Sequence, residues 1–169
     1  MNRRLVLPAF LLLAGCGLKP LYGGGGSGAV ASELSGVTVA PIGGQDGWLV
    51  RTAIEDRLPR GTTSARYRLE ITLDDRIEGF GVRTDNAVTR ERRTLRARYR
   101  LVEIGAGTVV LDQTAGSDVG IDVVDSQYAT VAAEQTALER LSTELADQIV
   151  TRVALFASRM QEERPQAGR

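Results

Sequence analysis

Histidine is absent from these 169 residues, cysteine occurs once, and the only lysine is Lys19. Without histidine the commonest general base and imidazole metal ligand are missing, and no Gly-x-Ser-x-Gly nucleophile elbow occurs. The acidic pairs Asp74-Asp75 and Glu162-Glu163 fall at a strand end and in a polar tail, where solvation is the default. The composition therefore points away from an enzyme, calls for no metal, and leaves a carboxylate-only hydrolase as the sole catalytic option. One thiol forbids an internal disulfide, so the fold must hold without one even in an oxidising compartment. Basic and acidic side chains balance at 21 each, which gives no electrostatic reason to expect a nucleic-acid partner. The apolar run Leu5–Leu13 is interrupted by Pro8 and is far shorter than the ~20 residues a helix needs to cross a bilayer.

What that run does have is the layout of a secretory signal: Arg3 and Arg4 ahead of it, then Leu13-Ala14-Gly15-Cys16, with small residues just before the thiol. Leu-Ala-Gly-Cys resembles the bacterial lipobox. The resemblance implies that residues 1–15 are removed and that Cys16 becomes the first residue, carrying a thioether-linked diacylglycerol and an N-acyl chain. At about 0.8 kcal/mol per buried methylene, three chains would hold the protein at a membrane effectively permanently. No other cofactor is expected. Gly23-Gly24-Gly25-Gly26-Ser27-Gly28 reads as flexible coil, so residues 16–36 are assigned to a lipidated tether.

Residues 37–160 then read as one domain. Val37-Thr38-Val39-Ala40-Pro41 predicts a short strand. From Asp46 to Leu58, the three- and four-residue spacing of Leu49, Val50, Ala53, Ile54 and Leu58 predicts an amphipathic helix stopped by Pro59 and Gly61. The period then drops to two. Tyr67, Leu69, Ile71 and Leu73 alternate with Arg66, Arg68, Glu70, Thr72 and Asp74; Leu95, Ala97, Tyr99 and Leu101 alternate with Arg96, Arg98 and Arg100. A third strand from Thr108 to about Asp118 places Val109, Leu111, Gln113 and Ala115 inward. Ser126 suits a helix N-cap, and Tyr128–Ser158 carries Val131, Leu138, Leu141, Leu145, Ile149, Val153 and Phe156 on one face. The tail 161–169 is polar. A right-handed crossover makes the first two strands parallel, and the meander adds antiparallel pairs. The expected fold is α+β: a two-layer sandwich of a mixed four-stranded sheet with two helices on one face.

The other face carries the arginines, all of one parity, and arginine's planar fork suits phosphate and carboxylate better than lysine's point charge. Two readings stand. A hairpin centred near Thr84 would oppose Glu70 to Arg98 and Glu78 to Arg90, and the next turn would oppose Arg100 to Asp112; these are ordinary cross-strand ion pairs. That register also opposes Arg68 to Arg100 and Arg76 to Arg92, and like charges so placed favour an anion between them. Arg66, Arg68, Arg96, Arg98 and Arg100 are accordingly the candidate contacts for an anion.

Three stretches together resemble a known family. "LAGCGLKPLYG", "RARYRLVEIGAGTVV" and "VVDSQYATVAAEQTALERLSTELADQIVTRVALF" are similar, in that order, to the lipopolysaccharide-assembly lipoprotein family LptE, above all its alphaproteobacterial branch. Leu18, where an aromatic is common, and the long glycine tract are departures. The resemblance implies a non-enzymatic lipoprotein on the periplasmic side of the outer membrane, seated as a plug in an LptD-like β-barrel during lipopolysaccharide transport, with lipid A phosphates as candidate ligands of the arginines. Gly17 after the cysteine fits the sorting pattern for the outer membrane. An accessory lipoprotein of a phospholipid-transport system is the alternative, since such proteins share the anchor and a similar α/β body.

Overall fold

The computed structural model describes residues 29–59, 64–82, 88–124 and 126–163. The signal segment, Cys16 and most of the expected tether lie outside them. The elements run α1 (Ala29–Leu34), β1 (Val37–Val39), α2 (Gly44–Glu55), β2 (Tyr67–Val82), β3 (Val88–Glu103), β4 (Val109–Asp122) and α3 (Gln127–Glu163). The fold is α+β: a single four-stranded sheet in the order β1-β2-β3-β4, parallel between β1 and β2 and antiparallel elsewhere.

Helix α1 lies within the stretch assigned to the tether. It is not coil, because Ala31 and Leu34 are buried and Leu34 belongs to the core. The folded body thus begins before Val37. Helix α2 follows a glycine turn in which Gly44 has φ +84°, and Asp46 in its first turn complements the helix dipole. It buries Gly47, Val50 and Ile54. Gly47 has no room for a side chain: a Cβ there would come within 2.8 Å of the Ile42 carbonyl oxygen.

Helix α3 is capped as expected, the Ala129 N–H donating to Ser126 Oγ at 3.4 Å. Its 37 residues extend about 55 Å at ~1.5 Å per residue. It runs beside α2 from the Gln45–Gln135 contact to the Arg57–Asp147 pair. Leu138, Leu141, Leu145, Ile149 and Val153 are buried as expected, joined by Ala137, Ala146, Val150, Ala154 and Ala157. Val131 departs from the expected face and is 56% exposed, because it precedes the stretch where α2 packs alongside. Phe156 is half-buried.

These helices cover the face formed by Tyr67, Leu69, Leu95, Ala97, Tyr99, Leu101 and Ala115. Burying whole Leu, Ile and Val side chains here stabilises the fold by roughly 1.5–3 kcal/mol each before the entropic cost. On β4, Ala115 and Ile121 are buried, whereas Val109 and Gln113 are exposed. The shift from the pairing Leu101↔Leu111 to Val102↔Val109 is a bulge that displaces Val109 from the inward row.

The β2–β3 register lies two residues from the one expected. Glu70 faces Arg100, not Arg98, and Glu78 faces Arg92, not Arg90. Arg68 then faces Val102 and Arg76 faces Thr94, so both like-charge oppositions disappear. A two-residue slide leaves every side chain on its own face, so the apolar pattern is indifferent to it and the charges decide. The pairing Arg100↔Asp112 stands as expected.

Candidate functional site

The open face of the sheet is a field of ion pairs around Arg96, which has no partner among the described residues. Alternation along β2, β3 and β4 directs the even-numbered side chains away from the helices. At the β1 end, Glu70 accepts from Arg68 Nε at 3.0 Å and from Arg100 Nη2 at 2.9 Å. Arg98 grips Asp112 with two bonds, Nε to Oδ1 at 3.0 Å and Nη2 to Oδ2 at 2.8 Å. Toward the hairpin end, Arg76 pairs with Asp74 at 2.9 Å, Arg90 with Asp122 at 3.0 Å, and Arg92 with Asp118 at 3.6 Å. Arg92 also lies over the Phe80 ring, 5.4 Å from its centroid.

The Arg98–Asp112 pair perturbs both partners. The hydrogen bond and charge of Asp112 raise the Arg98 pKa above its ordinary value, and the bond from Arg98 holds the Asp112 carboxyl below its ordinary value, with Arg100 adding to the effect. Both groups are solvent-exposed, so this is a local preference and not a large store of stability.

Of the five candidate anion contacts, four are occupied by carboxylates. Arg68, Arg98 and Arg100 lie on the open face in the pairs just given. Arg66 lies apart, at the end of the sheet, 3.5 Å from Glu33 of α1 and 3.6 Å from Glu103, with its guanidinium 5.1 Å from the Tyr67 ring centroid. It clamps α1 to the sheet and does not belong to the stripe.

Arg96 alone of the five has no ion-pair or hydrogen-bond partner among the described residues. It faces Asp74 on β2, but Asp74 is turned to Arg76; on β4 it faces Gly116. A Cβ at Gly116 would come within 3.0 Å of Arg96 Cγ, so the glycine makes room for the arginine stem to lie flat. Thr72, Thr94 and Thr114 surround it in a shallow concavity of about 560 Å³ that also includes Asp74, Arg98 and Asp118. Short side chains around one free guanidinium leave its donors available to a ligand. The sequence pattern does not separate Arg96 from its neighbours; Gly116, a glycine inside a strand, is the one signal of a close approach.

Sequence reasoning also missed an arginine of the opposite parity. Arg93 points toward the helices, binds Asp75 through Nε at 3.0 Å and Nη2 at 2.5 Å, and donates from Nη1 to the Glu134 carbonyl at 2.7 Å. Its signal was available: two opposite charges, Asp75 and Arg93, at apolar-parity positions of neighbouring strands. Helix α3 also closes the outer edge of β4. Gln148 donates to the Gly116 carbonyl at 3.3 Å, Arg152 donates to the Thr114 carbonyl, and Ser117 Oγ donates to Glu144 at 2.7 Å. That last bond, with help from Arg140, holds Glu144 below its ordinary pKa. Among the described residues no group of three or more metal-ligating side chains occurs, and no helix is long and apolar enough to cross a membrane.

A family model described as LptE, lipopolysaccharide-assembly, matches residues 34–153, from the end of α1 through most of α3. The chain belongs to the LptE family. It is therefore a member of a non-enzymatic, membrane-associated lipoprotein family that acts in lipopolysaccharide assembly. Among solved structures, this LptE-family chain is similar to a Caulobacter crescentus protein named as a lipoprotein, at 26% identity and TM-score 0.62, over 76% of this chain and 96% of that one. The rare lipoprotein B of Shewanella oneidensis matches at 10% identity and TM-score 0.59, over 74% and 96%. Lipoprotein B of Nitrosomonas europaea matches at 17% and 0.56, over 76% and 86%. The last two show a shared fold. No curated protein sequence matches the chain significantly.

Proposed function

We infer that this chain is an outer-membrane lipoprotein, anchored on the periplasmic side through acyl chains on Cys16, that plugs and assists an LptD-like β-barrel in delivering lipopolysaccharide to the outer leaflet. The observation that carries this reading is the family match across nearly the whole folded body. A compact two-layer body with a polar open face suits the lumen of a wide barrel, whose inner wall is polar and which would otherwise be a water-filled channel. Arg96 is the arginine left free to meet a phosphate of the transported lipid, while Arg66, Arg68, Arg98 and Arg100 are already neutralised. Affinity purification of the full-length protein from detergent-solubilised envelopes tests the reading. A large outer-membrane barrel should co-purify in stoichiometric amount; recovery of an inner-membrane transporter instead would assign the chain to phospholipid traffic and overturn it.

A further inference from the structure

The two edges of the sheet are finished differently. The edge of β4 is closed by side chains from α3, as described above. The edge of β2 is covered by β1 only over Tyr67–Leu69, where the Ala40 N–H makes the last bond to the Leu69 carbonyl. The chain then turns away through Pro41, which has no N–H to donate. Ala40 and Pro41 lie beside Glu70, Ile71 and Thr72. From Leu73 to Gly81 no strand among the described residues lies beside the outer edge of β2.

Because Tyr67 N–H and Leu69 C=O point toward β1, alternation directs the backbone groups of Leu73, Asp75, Ile77 and Gly79 outward too. No bond to those groups occurs among the described residues. Such an edge is a template for another strand. Within it, Ile77 is 42% exposed although it lies on the helix-facing side. Beside it, Glu78 has no ion-pair or hydrogen-bond partner among the described residues, and Arg76 is held only by its own-strand neighbour Asp74.

We propose that this edge pairs with the same edge of a second copy of the chain, antiparallel and centred on Ile77. Charge sets the register. A two-fold axis at Ile77 sets Ile77 against its copy and Asp75 against Gly79, and keeps both helix layers on one side. It places Arg76 of each copy opposite Glu78 of the other, so Arg76, which faces Thr94 on β3, and Glu78, whose facing Arg92 is turned to Asp118, each gain an opposite charge twice over. Centring on Arg76 instead would oppose Asp74 to Glu78 and Arg76 to itself, and is disfavoured. A strand pair of this length falls below the ~1,200 Å² of a standard interface, so the association is weak.

Sedimentation of the full-length protein in detergent should show a dimer whose population rises with concentration. Ile77→Pro removes an outward N–H and leaves the β2–β3 ladder intact, so the dimer should vanish while the circular dichroism spectrum and melting midpoint stay close to those of the parent. Glu78→Arg should weaken association about tenfold, and combining it with Arg76→Glu should restore it. Ile77→Cys should form a disulfide-linked dimer on oxidation above the parent's background, whereas Thr72→Cys, far from its own copy in this register, should not. A monomer at every concentration, or a dimer that survives Ile77→Pro, overturns the proposal. So does a monomer that instead captures another protein through this edge, which would give the edge to a foreign strand. Loss of the dimer leaves the barrel reading untouched, because the envelope purification tests that separately.

Discussion

Arg93 and Arg96 stand three residues apart on the same strand and do opposite work. Arg93, on the covered face, is 11% exposed and spends its donors on Asp75 and the Glu134 carbonyl. Arg96, on the open face, spends none on the described residues. The difference is solvation. A guanidinium taken out of water must have its donors satisfied or it destabilises the fold, so Arg93 became a cross-brace between β2, β3 and α3. A guanidinium left in water carries no such obligation and can be kept for a ligand. The same contrast separates the two faces as wholes: one is a largely apolar layer into which the Arg93–Asp75 pair is set, the other a set of exposed pairs that water screens and that can be exchanged.

The largest expected effect lies in the covered layer. Leu145→Ala, beneath the sheet at a fully buried position, should cost about 2–5 kcal/mol in denaturant unfolding. Next comes the brace. Arg93→Ala should cost roughly 2–3 kcal/mol by leaving Asp75 without its partner, and Arg93→Met combined with Asp75→Leu should recover most of the loss. If Arg93→Ala were as mild as a surface substitution, the distinction between the faces would fail. Arg96→Ala should leave the melting curve nearly unchanged while weakening lipopolysaccharide binding and flattening its salt dependence, and Gly116→Val should do the same by displacing the arginine stem. Unchanged binding in both would remove Arg96 as a ligand contact. The smallest effect concerns Asp112. Its folded-state pKa lies below the unfolded one, so its contribution is present above the unfolded value and fades as pH falls through the folded one. Its carboxyl resonance should titrate below the ordinary aspartate range and return toward it in Arg98→Gln, with no resolvable change in melting temperature at neutral pH.

Much of this architecture could be read from residue order because each decision was local. A period of two set the faces of β2 and β3, and a period near 3.6 between Asp46 and Leu58 set α2. The register could not be read from hydrophobicity, since sliding β2 by two residues returns apolar to apolar; only the opposition of Arg68 to Arg100 and of Arg76 to Arg92 spoke against a hairpin centred near Thr84. Helix α1 was hidden because Ala29–Leu34 follows a glycine tract and is too short for a periodic signal, so its docking through Leu34 and Glu33 decides its state. The isolation of Arg96 was equally illegible: it depends on Asp74 choosing Arg76 along its own strand over Arg96 across from it. Cys16, the residue on which the sequence spoke most clearly, lies outside the described residues.

The clamp of Arg66 on Glu33 and Glu103 fixes where the N-terminal side of the body sits: at the opposite end of the long strands from the β2–β3 hairpin tip. Each of those strands has 16 residues and so measures about 50 Å at ~3.3 Å per residue. A hydrocarbon core is ~30 Å thick. The paired strands are therefore longer than such a core is thick.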